Sequence, residues 1–383
     1  MDTTIYFDYH ATTPCDPRVV EAMLPYFTQE FGNPSSGLHR LGRRAARAVD
    51  TAREQVAALI GATPDEIVFT SGATESNNLV IHGLAHQRAE RRRIVTTAIE
   101  HKAVREPCRA LEAQGFDVVV LPVGRDGTVD LQAAEEAISH DTLLVSVQLA
   151  NNEIGTIQPL RAIAELAEKR GALVHTDAAQ AVGKIPVDID ALGVDFLSIS
   201  GHKLYGPKGI GALFVRSGLR RRLVPLVQGG GQEADLRPGT LNVPGIVGLG
   251  EACAVCANEM HDEAMRVASL RDRLETHLTT AIPGLQINGN FANRLPGNSS
   301  LTFPAVEADA LIANLPGLAL STGSACTSGA IEPSHVLTAI GLSREAADAT
   351  VRIGLGRFTT SEEIAAAARM IPEAWMRLAL AAS

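Results

Sequence analysis

Lys203 stands in the stretch SISGHKLYGPKGIGALF, residues 198–214, and is one of five lysines among 383 residues, the others being Lys102, Lys169, Lys184 and Lys208. It follows an apolar strand-like run and lies directly after His202, with Ser200 just upstream. Similar polar residues stand at the ends of other apolar runs. Ser71-Gly72-Ala73-Thr74 follows EIVFT, His101 follows RIVTTAIE, Asn151, Asn152 and Glu153 follow LLVSVQLA, and Asp177 and Gln180 follow ALVHT. A glycine turn that opens a helix offers free backbone N–H groups and a positive dipole end, which suit a phosphate. Together these positions supply an anion cradle, a carboxylate, two imidazoles and a lysine.

Nucleotide readings fail on spacing. A dinucleotide site requires G-x-G-x-x-G on the first strand-to-helix turn, and a P-loop requires a lysine where GHKLYGPKG has Pro207. Pyridoxal phosphate needs the set that is present. A lysine amine condenses with its aldehyde, a carboxylate keeps its ring nitrogen protonated, and a cradle holds its phosphate. Lys203 is then the covalent anchor, and Lys208, beside Pro207 in a turn, is expected to face solvent or support the loop.

The elements that must position these residues follow from periodicity. EIVFT, RRIVTTA, DVVVLPV, TLLVSVQLA, ALVHTDAA, DFLSISG and GALFVR read as strands, and ESNNLVIHGLAHQRAERR and PLRAIAELAEKRG as helices between them. This alternation predicts a mostly parallel sheet covered on both faces, with ligands at the carboxyl ends of the strands. After GTLNVPGIVGLG a long helix leads into a segment of different texture, taken as a second, smaller domain. The composition, 45% apolar and 20% charged with a net charge of −9, describes a globular chain with no overall basic field for nucleic acid or membrane. The arginines of RRAARAVDTAR and RAERRR sit at helical spacing and read as solvated faces. The first residues lack a basic segment followed by an apolar one, so the cytoplasm is expected. Five scattered cysteines argue for reduced thiols; Cys253 and Cys256 read as one buried helix face, and Cys15 and Cys108 as packing residues. No resident metal is expected.

The motifs FDYHATTPCDPRV, FGNPSSGLHRLG, EIVFTSGATESNN, EHKAV, NNEIGTIQP, HTDAAQAVGKIPVD, SGHKLYGPKGIGAL, GGGQE, RPGTLN, STGSACTSG and RIGLGRFTT occur in the order found in cysteine desulfurases of the class V aminotransferase superfamily, in the group that serves iron–sulfur cluster assembly. The chain resembles that family over nearly its whole length. The resemblance implies an α/β pyridoxal phosphate-dependent transferase fold of the aspartate aminotransferase type (fold type I), with a large cofactor domain over 15–255. A smaller α+β domain would comprise 1–14 and 256–383 and carry a mobile loop at about 321–333. It implies a homodimer that takes sulfur from L-cysteine, leaves L-alanine, and passes the sulfur to an acceptor such as an iron–sulfur scaffold.

Residue by residue, the resemblance gives Lys203 the cofactor anchor and Asp177 the ring nitrogen, in agreement with the reading above. His101 would stack on the ring and move protons, Gln180 would bond the ring hydroxyl oxygen, and Ala73, Thr74, Ser200 and His202 would hold the phosphate. Thr240 would complete the cradle of the neighbouring subunit. Asn152 and Arg352 would bind the substrate carboxylate, with Asn33 nearby, since a guanidinium fork orients a carboxylate through two parallel charge-assisted bonds. Cys326, in ALSTGSACTSGAIEPSH, would accept sulfur as a persulfide and is the one point of iron–sulfur contact implied. A selenocysteine lyase or another class V enzyme would share most of these residues. Two places depart from the family pattern: His10 replaces a small residue near the cofactor, and Ala234-Asp235 follow GGGQE where an arginine and a glycine are common.

Overall fold

A computed structural model describes residues 4–87, 90–322 and 333–382. A two-residue strand, β1 (Ile5–Tyr6), opens the chain. The central sheet uses β2 (Ile67–Thr70), β3 (Arg93–Thr97), β4 (Asp117–Leu121), β5 (Thr142–Ser146), β6 (Leu173–Asp177), β7 (Phe196–Ser200) and β8 (Gly211–Val215). Each lies within one of the seven runs read as strands. Their spatial order is β2-β8-β7-β6-β5-β3-β4. The pairs from β4 through β7 are parallel, whereas β8 runs antiparallel to both β7 and β2. The parallel strands β5, β6 and β7 are buried along their whole length, as expected of strands covered on both faces, and the antiparallel β8 is buried with them.

One apolar layer joins the sheet to the helices Arg40–Ile60 and Val243–Ala281. The first buries Ala45, Val49, Ala52, Val56 and Ile60 at three- and four-residue spacing and leaves Arg43 and Arg47 exposed. The opposite face is closed by Leu79, Val80, Ile81 and Leu84 of the helix Ala73–His86 and by Val104, Cys108 and Leu111 of the helix Lys102–Glu112. Each fully buried aliphatic side chain contributes roughly 1.5–3 kcal/mol.

The helix Val243–Ala281 changes partners along its length. Ile246, Leu249, Ala252, Cys253 and Cys256 belong to the sheet's core, and Val267, Leu270, Leu274 and Leu278 to a second core. That second core lies over an antiparallel sheet in which β10 (Asn298–Thr302) pairs with β9 (Gln286–Asn288). Strand β11 (Leu318–Ala319) pairs in parallel with β1, and β12 (Thr350–Gly354) pairs antiparallel with β10. Cys253 and Cys256 are wholly buried on the helix face that periodicity gave them, Cys108 is buried, and Cys15 is half-buried. No helix among the described residues is long and apolar enough to cross a membrane.

Candidate active site

A cavity of about 490 Å³ opens at the carboxyl ends of the parallel strands. His101, Asp177, Gln180, Ser200, His202 and Lys203 line it, together with Ala73, Thr74, Asn152 and Arg352. Residues separated by some 280 positions in sequence thus meet in one space. Lys208 also borders this cavity while remaining exposed, a placement that the expectation of a solvent-facing side chain covers only in part. Thr240 and Asn33 are exposed and do not line it. The Asn33 side chain instead accepts from the Ser35 backbone N–H at 2.9 Å. Cys326 lies outside the described residues. The described chain reaches that stretch from Ser321, whose hydroxyl accepts from Arg352 at 3.1 Å, and leaves it at Ser334, whose hydroxyl donates to Glu153 at 2.5 Å.

The floor of the cavity comes from β6 and β7. Asp177 ends β6, and its oxygens accept from the Asn77 amide at 2.7 Å and from the Ala179 backbone N–H at 3.0 Å. Asn77 belongs to the SNN run of the helix Ala73–His86, one turn past the cradle, and the sequence reading gave it no role. Two backbone carbonyls, of His10 and Ala11, accept from the Lys203 ammonium at 2.5 and 2.7 Å. The N-terminal segment, remote in sequence, therefore aims the lysine. His101 caps the helix Lys102–Glu112: its Nδ1 accepts from the Ala103 N–H at 3.1 Å, so the neutral ring carries its proton on Nε2. His202 is within 3.0 Å of the Thr12 hydroxyl, and burial first, then Lys203, Lys208 and Lys184, push its pKa down to about 4.

At the cradle, the helix Ala73–His86 starts at Gly72 with no side-chain cap, leaving its first N–H groups to a ligand. Gly72 adopts φ 151°, ψ 178°, a region open to glycine only, and a Cβ there would point toward Ser200 Oγ at 3.7 Å. Gly211, on the first residue of β8, packs so closely that a Cβ would come within 2.4 Å of the Ile199 carbonyl and 2.6 Å of Gly72 Cα. Two ion pairs attach the loop that bears Thr240: Arg237 to Glu75 at 3.0 Å, and Arg53 to the buried Glu233 at 2.6 Å. Glu233, Ala234 and Asp235 all have positive φ, at 48°, 53° and 67°. A glycine at position 235 would be less strained, and the departure from the family pattern therefore has a backbone cost. At the other end of the cavity, Arg352 donates to Asp8 at 2.8 Å and to the Asn152 carbonyl at 3.0 Å, and its Nε has no hydrogen-bond partner among the described residues.

A family model for class-V aminotransferases matches residues 5–366. The chain is 51% identical to cysteine desulfurase IscS of Anaeromyxobacter dehalogenans over 374 residues, 97% of this chain and 93% of the relative. The chain belongs to the cysteine desulfurases of the class-V aminotransferase family. Its fold is that of a solved NifS-like protein at a TM-score of 0.91, with 39% identity, 98% of this chain and all of the other covered. A structure of SspA in complex with cysteine superposes at 0.82, with 41% identity and coverage of 93% and 100%. Pyridoxal phosphate is the cofactor of this desulfurase. The donor set fits it. An uncapped helix start, a glycine there in a conformation that side chains rarely adopt, a hydrogen-bonded carboxylate and a carbonyl-held lysine together match a phosphate, a basic ring nitrogen and an aldehyde.

Proposed function

We propose that this desulfurase acts as a cytoplasmic homodimer on L-cysteine, releases L-alanine and holds the sulfur as a persulfide on Cys326, which passes it to an acceptor protein for iron–sulfur cluster assembly. The observation that carries this reading is the convergence of Lys203, Asp177, His101 and Arg352 on one cavity. Pyridoxal phosphate, when bound, draws electrons from the substrate and so weakens the carbon–sulfur bond. Lys203 is its covalent anchor, Asp177 its ring-nitrogen partner and Gln180 a donor to its ring oxygen. The backbone of Ala73 and Thr74, with Thr74, Ser200 and His202, holds its phosphate, and Thr240 of a second copy completes the cradle. His101 stacks on the ring and moves a proton at Nε2, the nitrogen left to it by the Ala103 contact. Arg352 and Asn152 hold the substrate carboxylate, with Asn33 supplied from outside this cavity. The Asp8 and Asn152 contacts fix the guanidinium before substrate arrives.

Two units carry these tasks: 15–255 bind the cofactor, and 1–14 with 256–383 present Cys326. The change of core along the helix Val243–Ala281 supports that division. The state of the other four cysteines supports Cys326 as the acceptor: burial pushes up the thiols of Cys108, to about 12, of Cys253, and of Cys256, to about 11, and raises that of the half-buried Cys15 as well, so that little reactive thiolate forms there. Mass spectrometry after brief exposure to L-cysteine should find one added sulfur on the Cys326 peptide. Borohydride should fix the cofactor to Lys203. Sustained alanine release by Cys326→Ala, or a label on Lys208 in place of Lys203, would overturn the reading.

A further inference from the structure

Gln180 is held by three contacts that do not allow its amide to be turned over. Its Nε2 donates to the His10 carbonyl at 2.9 Å. Its Oε1 accepts from the Lys184 ammonium at 2.7 Å and lies 3.1 Å from His10 Nδ1. Rotation by 180° would set the amide NH₂ against an ammonium and its oxygen against a carbonyl, two repulsive contacts in place of two bonds. With Oε1 fixed as an acceptor, His10 must carry its proton on Nδ1. His10 is fully buried, and its titration is pushed well below the ordinary range, by burial first and then by Lys184, Arg352 and Lys203, so the ring is a neutral donor.

Lys184 has no place among the roles assigned above, yet it spends one of five lysines on a side-chain amide. It feels the charges of Lys203 and Arg352, which oppose its ammonium, and of Glu263 and Cys256 of the helix Val243–Ala281, which favour it. Gln180 lines the cavity, and one amide hydrogen remains after the bond to His10. Burial lowers the pKa of the Lys184 ammonium to about 7, so below that pH it is a cation on the amide oxygen, which polarises the group and strengthens the donor at its nitrogen end.

We propose that Lys184 and His10 are positioning residues that lock the Gln180 amide with its N–H edge toward the cavity, making it a polarised donor to an anionic oxygen of the bound cofactor. This rests on reading the cavity as the cofactor site. Lys184 acts through Gln180; the His10 ring does so too, while the His10 backbone carbonyl also holds the Lys203 ammonium at 2.5 Å. His10 supplies two of the three contacts, its carbonyl and its Nδ1, so the departure from a small side chain at this position adds a second donor to the lock.

The test uses purified, pyridoxal phosphate-loaded enzyme and two readouts other than turnover: retention of cofactor on dilution, and the pH midpoint of the bound cofactor's visible absorbance. A donor to the ring oxygen stabilises its anion, so losing that donor should raise the midpoint by about one pH unit and the cofactor dissociation constant about tenfold, as for one bond to a charged acceptor. Lys184→Met and Gln180→Ala should each show this, Lys184→Arg should restore much of it, and Lys184→Met/Gln180→Ala should be no worse than Gln180→Ala. His10→Leu, which keeps the backbone carbonyl and loses the Nδ1 donor, gives a smaller shift in the same direction and serves if Lys184→Met does not fold. Effects that multiply in the double variant, or a Lys184→Met spectrum that titrates with the wild type, overturn the proposal and leave the cofactor site intact. A wild type that binds no pyridoxal phosphate in this cavity overturns both.

Discussion

Asp177 is oriented by the Asn77 amide and the Ala179 N–H, which fix its carboxyl group at the cavity floor. With the ring nitrogen as its proposed partner, replacing this charge costs roughly 3 kcal/mol or more, and Asp177→Asn should lose about a hundredfold or more in turnover. Turnover measured at verified cofactor occupancy checks this. Glu100, next to His101, shows the opposite condition. It is buried and accepts from the Gln148 N–H and the Thr97 hydroxyl, while its second oxygen has no partner among the described residues. Burial pushes its pKa from the ordinary 4.5 to about 8. Because the folded value is raised, the acid's contribution to stability is whole below 4.5 and is lost as pH climbs through about 8. Thermal unfolding of the wild type should therefore shift to lower temperature as pH rises from about 4.5 to about 8, and Glu100→Gln should flatten the dependence. An unchanged slope would show that another group titrates.

The element that decides the site is the junction of β2 with the helix Ala73–His86. Gly72 makes the junction by adopting a backbone conformation that no side chain tolerates well, and Gly211 of the neighbouring β8 packs directly under it. Gly72→Ala should cost about 1–3 kcal/mol of stability from backbone strain alone. Its Cβ also enters the space before Ser200, so cofactor retention should fall more than stability does. Paired denaturation and cofactor-release measurements separate the two effects. A variant that melts early but retains cofactor normally would show that the cradle needs less room than this.

Across the whole molecule, Arg357 joins parts distant in sequence. Its guanidinium donates to Asp16 and to Glu263, both at 2.8 Å, and lies 4.1 Å from the centre of the Tyr205 ring. Asp16 caps the helix Pro17–Met23, Tyr205 sits two residues past Lys203, and Glu263 is on the long helix that crosses between the two cores. Arg357→Met leaves buried carboxylates short of a partner and should cost about 3 kcal/mol, seen as a lower denaturation midpoint. The Asp16 carboxyl is held well below the usual range, mostly by Arg18 and then by Arg357. A depressed pKa stabilises the fold above the ordinary value and is lost as pH falls, so the variant should differ most from the wild type near neutrality and converge with it in strong acid. A difference that persists at low pH would mean that packing on Tyr205, and not charge, carries the effect.

The amino-acid sequence by itself determined the strands, the helices between them and the chemistry of the strand ends. Hydrophobic period and residue type are local, and the family motifs stand contiguous along the chain. The mostly parallel direction followed from the alternation, but strand order and the reversal of β8 were not legible: β8 turns back antiparallel through the short Gly201–Ile210 connection, and β2 pairs with it across more than 140 residues. Pairing at such distance leaves no local mark. The same holds for Asn77 behind Asp177 and for the carbonyls of His10 and Ala11 on Lys203. An ordinary asparagine or backbone group acquires a role only when the sheet brings it there. Lys184 makes the point most fully. In sequence it is a lysine after a glycine; folded, with its ammonium on the Gln180 amide and 174 positions from the histidine that shares that amide, it is surrounded by charge and pushed down to about 7 by burial. Tertiary structure alone sets that environment, because desolvation depends on every element packed around a group and not on its neighbours in the chain.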